Sequence, residues 1–177
     1  GIYRHFSTIA DTCDIPIVLY NVPGRTGVGI AAETVARLVK NRNVLGVKEA
    51  AGSVERVSEI LSLCDTSIMC GDDSLTVPMM LLGAKGVISV ASNIIPAELK
   101  KMTDACASGD FATAVAMHRK YWRLFKDLFV ESNPIPVKAA MAMLGMIEEE
   151  YRLPLCPLSD VNREKLRKTV SECIRSV

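Results

Sequence analysis

Four times in succession the chain passes from a short apolar run, through a turn, into a stretch with helical spacing. No other feature limits the possible folds as much. A first helix is expected from Ile2 to Cys13, with Tyr3, Phe6, Ile9 and Ala10 on one face. The first run, Ile15 to Tyr20, is continuous and apolar, as buried parallel strands are. The loop at 21–27, marked by Pro23, Gly24 and Gly27, leads to an amphipathic helix from Ala31 to Val39. Asn43 to Lys48 is the second strand, followed by a turn at Ala51 and Gly52 and a helix from Ser53, read as its N-cap. Thr66 to Cys70, a loop at 71–73 and a helix from Ser74 to Leu82 form the third unit. Gly86 to Val90 and a helix opening at Pro96 form the fourth.

Units of roughly 22 to 30 residues each, strand then helix, predict a parallel sheet with right-handed crossovers. Beyond residue 106 the strand pattern stops. Gly109 and Asp110 precede a long helix whose stripe Phe111, Val115, His118, Trp122, Phe125 and Phe129 is read as its packing face, with His118 a packed histidine and not a ligand. Asn133 and Pro134 open a helix to about Leu144, and Ser159 and Asp160 cap a last, strongly charged one. The expected organisation is therefore α/β: residues 1–106 as the C-terminal half of a (β/α)8 barrel, and 107–177 as a helical domain. An open doubly wound sheet is the rival. It is disfavoured because no Gly-x-Gly-x-x-Gly follows a strand and no acidic residue is placed for a ribose.

Composition narrows the function by exclusion. A net charge of +1 over 177 residues, without a basic stripe, removes the argument for nucleic acid. The apolar runs are broken well short of the ~18 residues a membrane helix needs. Six cysteines without a C-x-x-C pair are read as free buried thiols in a reducing cytoplasm, and two distant histidines argue against a metal site or a Ser-His-Asp triad. The opening residues, 1–6, read as the middle of a helix, so an upstream segment is expected.

Tyr20 and Lys48 close two consecutive strands, which makes them neighbours on the rim where barrel enzymes gather their chemistry. A strand-end lysine is ordinarily a solvated turn residue. Here Val44, Leu45 and Val47 make the strand a buried one, and a lysine carried on it is expected to be desolvated. Desolvation lowers an amine from about 10.4 towards the ~7–8 range in which it attacks a carbonyl. The iminium so formed is an electron sink for an adjacent carbanion. Strand alternation sends Lys48 and Glu49 to opposite sides. Tyr20 is read either as the proton donor and acceptor for that chemistry or as a tyrosine capping the core. Arg25 is either a fork for a carboxylate or an exposed loop arginine. Gly71 and Gly86 permit close backbone approach or serve as turns. Asp72 and Asp73 are explained by a helix N-terminus in preference to a cation site.

Tyr-Asn-Val-Pro-Gly-Arg-Thr-Gly at 20–27, Gly-Val-Lys-Glu-Ala at 46–50, Gly-Asp-Asp at 71–73, Gly-Val-Ile-Ser-Val at 86–90 and Asn-Pro-Ile-Pro-Val-Lys at 133–138 resemble the dihydrodipicolinate synthase family, in order and spacing. The resemblance implies a class I lyase that condenses pyruvate with aspartate semialdehyde in lysine and diaminopimelate biosynthesis. It implies no cofactor beyond a lysine–pyruvate Schiff base, and normally a homotetramer. Lys48 would form the Schiff base, Tyr20 would relay protons, and Arg25 would bind the semialdehyde carboxylate. Gly71 and Ile88 would line the pyruvate pocket, Ile88 through its backbone. N-acetylneuraminate lyases and keto-deoxy sugar acid aldolases share the tyrosine and lysine, while Arg25 in its Pro-Gly-Arg-Thr-Gly loop and the Lys-Glu-Ala stretch at 48–50 favour the synthase. The family's first half would add four strands, a Thr-Thr-Gly-Glu-like loop and a second tyrosine given across a dimer, none of which stands in these residues. On that expectation the chain alone is inactive, and a non-catalytic half-barrel that associates with itself or a partner is the reading from outside the enzyme class.

Overall fold

The computed structural model describes residues 1–174 and divides into two compact units, Gly1–Ile88 and a second beginning at Ser89. In the first, α1 (Ile2–Thr12), β1 (Ile17–Asn21), a one-turn helix α2 (Pro23–Thr26), α3 (Ala32–Leu38), β2 (Val44–Glu49), α4 (Glu55–Leu63), β3 (Ser67–Cys70), α5 (Thr76–Leu81) and β4 (Gly86–Val87) follow in order. The four strands pair in parallel in the order β1-β2-β3-β4, each next to its neighbour in sequence. This is the expected half of a (β/α)8 barrel.

The helices cover one face of the sheet. Leu19, Val47, Ile68 and Cys70 point into a core shared with Val35, Leu38, Val57, Ile60 and Met79, all nearly inaccessible to water. That much buried apolar side chain is the main force holding the unit together. On the opposite face Val18, Tyr20 and Leu45 are about half exposed. Val47 and Glu49 take the covered side, and Lys48 between them takes the open one. Because that face is open, Lys48 is half-buried and not enclosed as the apolar strand suggested.

Several boundaries move for physical reasons. The first strand begins at Ile17 and runs on to Asn21, because Pro16 has no N–H for the ladder and Ile15 lies 71% exposed. The loop after it contains α2, started by Pro23 and ended by Gly27 in the left-handed region (φ 71°). Ser53 is not a cap: α4 starts at Glu55 after Val54, with no side-chain cap bond. The third helix opens as a 3-10 turn, Asp73–Leu75, before α5. The fourth strand shortens to Gly86–Val87 and gives way to a 3-10 turn at Ala91–Asn93, although the Ile88 N–H still donates to the Cys70 carbonyl at 2.9 Å.

The second unit is helical: α6 (Pro96–Ala107), α7 (Phe111–Asp127), α8 (Ile135–Met143) and α9 (Asp160–Ile174). Asp110 caps α7 by accepting from the Thr113 N–H. The packed face of α7 differs from the expected stripe. Ala114, Tyr121, Leu124 and Phe125 are buried, whereas Phe111, Trp122 and Phe129 are about half exposed. Only Phe125 belongs to both sets. His118 is half-buried beside Phe125, its Nδ1 has no hydrogen-bond partner among the described residues, and burial lowers its pKa. All six cysteines are free, but Cys13 and Cys156 are exposed, contrary to the expectation of buried thiols, because they sit in the segments that follow α1 and α8.

Candidate active site

Parallel pairing sets the centre of the site. Tyr20 of β1 is the register partner of Lys48 of β2, and Lys48 in turn partners Met69 of β3. Tyr20 and Lys48 both project from the uncovered face, near the C-terminal ends of their strands. The Lys48 Nζ lies 4.4 Å from the centre of the Tyr20 ring, a cation–π contact. Tyr20 is 44% exposed.

Gly71, directly after β3, makes space for the lysine. A Cβ there would stand 2.5 Å from the Ala50 Cβ, 3.1 Å from the Glu49 carbonyl oxygen and 3.2 Å from the Lys48 Cε. The Gly71 N–H donates to that same carbonyl at 2.8 Å, which draws the two strand ends together. Gly46 serves the ladder in a similar way, since a Cβ on it would fall 2.1 Å from the Ser67 carbonyl oxygen. Close approach is therefore the role of Gly71. Tyr20, Lys48 and Gly71 form one contiguous group. Arg25 is exposed in α2, and Ile88 follows β4 with its N–H on Cys70.

The acidic pair that follows Gly71 shapes the local field. Burial, then the charge of Asp73, raises the Asp72 carboxyl above its usual range, against the Gly52 N–H and the Lys48 charge, which lower it. Burial also pushes the Cys70 thiol up to about 12, so it stays protonated and donates to the Asp72 carbonyl at 3.1 Å.

Sequence reasoning missed the group behind the site. Glu49, 1% exposed, accepts from the Asn21 Nδ2 at 2.8 and 2.9 Å, from the Ala51 N–H at 3.0 Å and from the Arg56 Nε at 3.4 Å. Strand alternation placed Glu49 opposite Lys48. A carboxylate so placed in an apolar strand must meet donors, and that requirement was the available signal. Beside Tyr20, an apolar groove of about 300 Å³ is lined by Ile2, Phe6, Val28 and Ile30.

Fold and site together define a (β/α)8-type unit with a lysine and a tyrosine paired at adjacent strand ends. The profile of the "Dihydrodipicolinate synthetase family" matches residues 1–173, and the chain belongs to that family. Among curated relatives, the 4-hydroxy-tetrahydrodipicolinate synthase of Sulfurihydrogenibium sp. is 53% identical over 174 residues, spanning 96% of this chain and 59% of the relative. That of Geobacter metallireducens is 49% identical, over 97% of this chain and 60% of the relative. Among solved structures, the synthase of Methylacidiphilum fumariolicum SolV superposes with a TM-score of 0.97 at 47% identity, over 99% of this chain and 59% of that one. The chloride-inhibited synthase of Acinetobacter baumannii, solved with pyruvate, gives 0.94 at 40% identity, over 98% and 60%. The chain thus spans about 60% of the length of the curated relatives it matches.

Proposed function

We propose that this chain carries the Schiff-base half of a lyase that condenses pyruvate with L-aspartate semialdehyde. The observation that carries the reading is the in-register Tyr20–Lys48 pair, with Gly71 leaving the lysine room. Lys48, in its neutral form, attacks the pyruvate carbonyl carbon. The carbinolamine loses water to give an iminium, with Tyr20 delivering and recovering the protons. The iminium draws electrons from the neighbouring C–H bond, and Tyr20, which gave its proton to the departing water, takes this proton and leaves an enamine. The enamine carbon then forms the new bond to the semialdehyde carbonyl. Arg25 holds the carboxylate of this second substrate by its guanidinium fork. The Gly71 and Ile88 backbone lines the pyruvate pocket. No cofactor takes part, since the lysine itself supplies the electron sink.

The remaining length of the relatives would supply the rest of the barrel and of the pyruvate site. On this reading the chain alone forms the adduct poorly and turns over little. The complete enzyme works as a homo-oligomer.

Borohydride reduction in the presence of pyruvate, followed by peptide mass mapping, tests the assignment. An adduct on Lys48 is expected, strengthened when the complementary half of a relative is added. An adduct on another lysine, or none even after complementation, rejects it. Cleavage of N-acetylneuraminate by the complemented protein, in place of condensation, would move the chain to the related aldolases.

A further inference from the structure

The segment that carries Arg25 leaves the sheet at Asn21 and returns to the core at Ile30. Both main-chain groups of Ile30 are held by side chains. Its N–H donates to the Asn21 Oδ1 at 2.9 Å, and its carbonyl accepts from the Arg56 Nη2 at 2.7 Å. Both of those side chains are fixed by Glu49, through the bonds described above. The result is a closed ring, Glu49–Asn21–Ile30–Arg56, at the base of the loop.

Glu49 sets the sense of this ring. An ionised carboxylate only accepts, so it requires the nitrogen of the Asn21 amide and turns the amide oxygen towards Ile30. It also takes one edge of the Arg56 fork and leaves another for the Ile30 carbonyl. Asn21 and Glu49 are 2% and 1% exposed, so water is in no position to replace a lost partner. Glu49 is also the residue next to Lys48, pointing the other way from the same strand.

We infer that Glu49, acting through Asn21 and Arg56, is a positioning residue that fixes the base of the Arg25 loop, which lines a groove with Tyr20, and so governs binding of the carboxylate of the second substrate. The inference rests on the functional reading above. None of the ring's hydrogen bonds reaches the side chain of Lys48 or Tyr20, so loosening it is expected to spare Schiff-base formation.

Glu49→Gln keeps the side-chain size but turns one acceptor into a donor. Arg56→Lys keeps a charge near Glu49 but cannot span Glu49 and the Ile30 carbonyl at once. Two titrations on the full chain, with its complementary half, decide the matter. One measures the pyruvate concentration that half-saturates borohydride trapping at Lys48. The other measures the aspartate semialdehyde concentration that half-protects Arg25 from trypsin, since a carboxylate-bound guanidinium resists the protease.

In both variants the second concentration is expected to rise roughly ten- to hundredfold, the effect of losing a hydrogen bond to a charged group, while the first stays within about twofold. If the two concentrations rise together, the ring merely holds the fold, and the inference is overturned. It is also overturned if neither moves, or if semialdehyde fails to protect Arg25 in a chain that does trap pyruvate. Absence of a Lys48 adduct in the unsubstituted chain removes the functional reading and this inference with it, and shows before any variant is compared.

Discussion

Replacing Gly71 with alanine isolates the space that the fold keeps for Lys48. The added Cβ would stand 2.5 Å from the Ala50 Cβ, where ordinary carbon contacts lie at about 3.5–4.0 Å. An alanine methyl has no rotamer by which to move away, so backbone must shift by about 1 Å. The shift is opposed by the Gly71 N–H bond to the Glu49 carbonyl, which itself stands 3.1 Å from the new atom. Overpacking of this kind costs about 1–3 kcal/mol. The third contact, 3.2 Å to the Lys48 Cε, displaces the lysine chain from its place over Tyr20. Gly24→Ala is the control, because it has nothing within 4 Å and no left-handed φ. Urea unfolding followed by circular dichroism should show a loss of about 1–3 kcal/mol for Gly71→Ala and a change within about 0.5 kcal/mol for Gly24→Ala. At urea-free conditions where both remain folded, pyruvate trapping at Lys48 should fall by up to about a hundredfold in Gly71→Ala only, as expected when a reacting group is displaced by ~1 Å. A stable Gly71→Ala protein that traps pyruvate at the parent rate would refute the role of this glycine.

The packed face of α7 makes a separate prediction: Phe125→Ala should lose about 3–5 kcal/mol, while Trp122→Ala, at a half-exposed site, should lose about 1 kcal/mol or less. Denaturant midpoints read both, and equal losses would restore the stripe inferred from spacing. Glu149 is held below its usual 4.5 by hydrogen bonds from Arg163 and Tyr151, against burial, which raises it. A depressed carboxylate binds fewer protons folded than unfolded, so its contribution is present above pH 4.5 and is lost as pH falls through the folded value. Glu149→Gln should therefore flatten the acid side of the stability–pH curve, and an unchanged slope between neutral pH and pH 3 would contradict the pairing (the range in which carboxylates of about 4.3 titrate).

What the sequence made legible follows the range of the interactions involved. Each apolar run needs only its neighbours to be recognised, and the four strands stand close to their expected places, with the order that short crossovers require. The rim pairing of Tyr20 with Lys48 was also accessible, because parallel register between consecutive units follows once both strands end in the same layer. The α7 face was less accessible. Steps of four and three were satisfied by two sets of residues, one through Val115, His118 and Trp122 and one through Ala114, Tyr121 and Leu124. Which set is buried is decided by α6 and α9, the helices packed against it. Aromatic size drew the expectation to Trp122, while the close helix packing selected the small Ala114.

The environment of Lys48 shows the same division within a single strand. Alternation separated Lys48 from Glu49, yet it carries no information about which side is the dry one. The apolar neighbours Val44 and Val47 suggested desolvation of the lysine. In the structure those residues share the covered face with Glu49, and Lys48 shares the open face with half-exposed Leu45. The burial therefore falls on the carboxylate. A buried carboxylate is stable only when its partners are already in place, and those partners, Asn21, Ala51 and Arg56, come from the end of β1, the turn after β2 and α4. Three elements must fold together before the Glu49 carboxylate has its donors where it stands. The same three elements fix the base of the loop that bears Arg25. On this account the polar ring behind the sheet sets the base of the Arg25 loop, while Lys48 on the other face is set by its contact with Tyr20 and by the room Gly71 leaves.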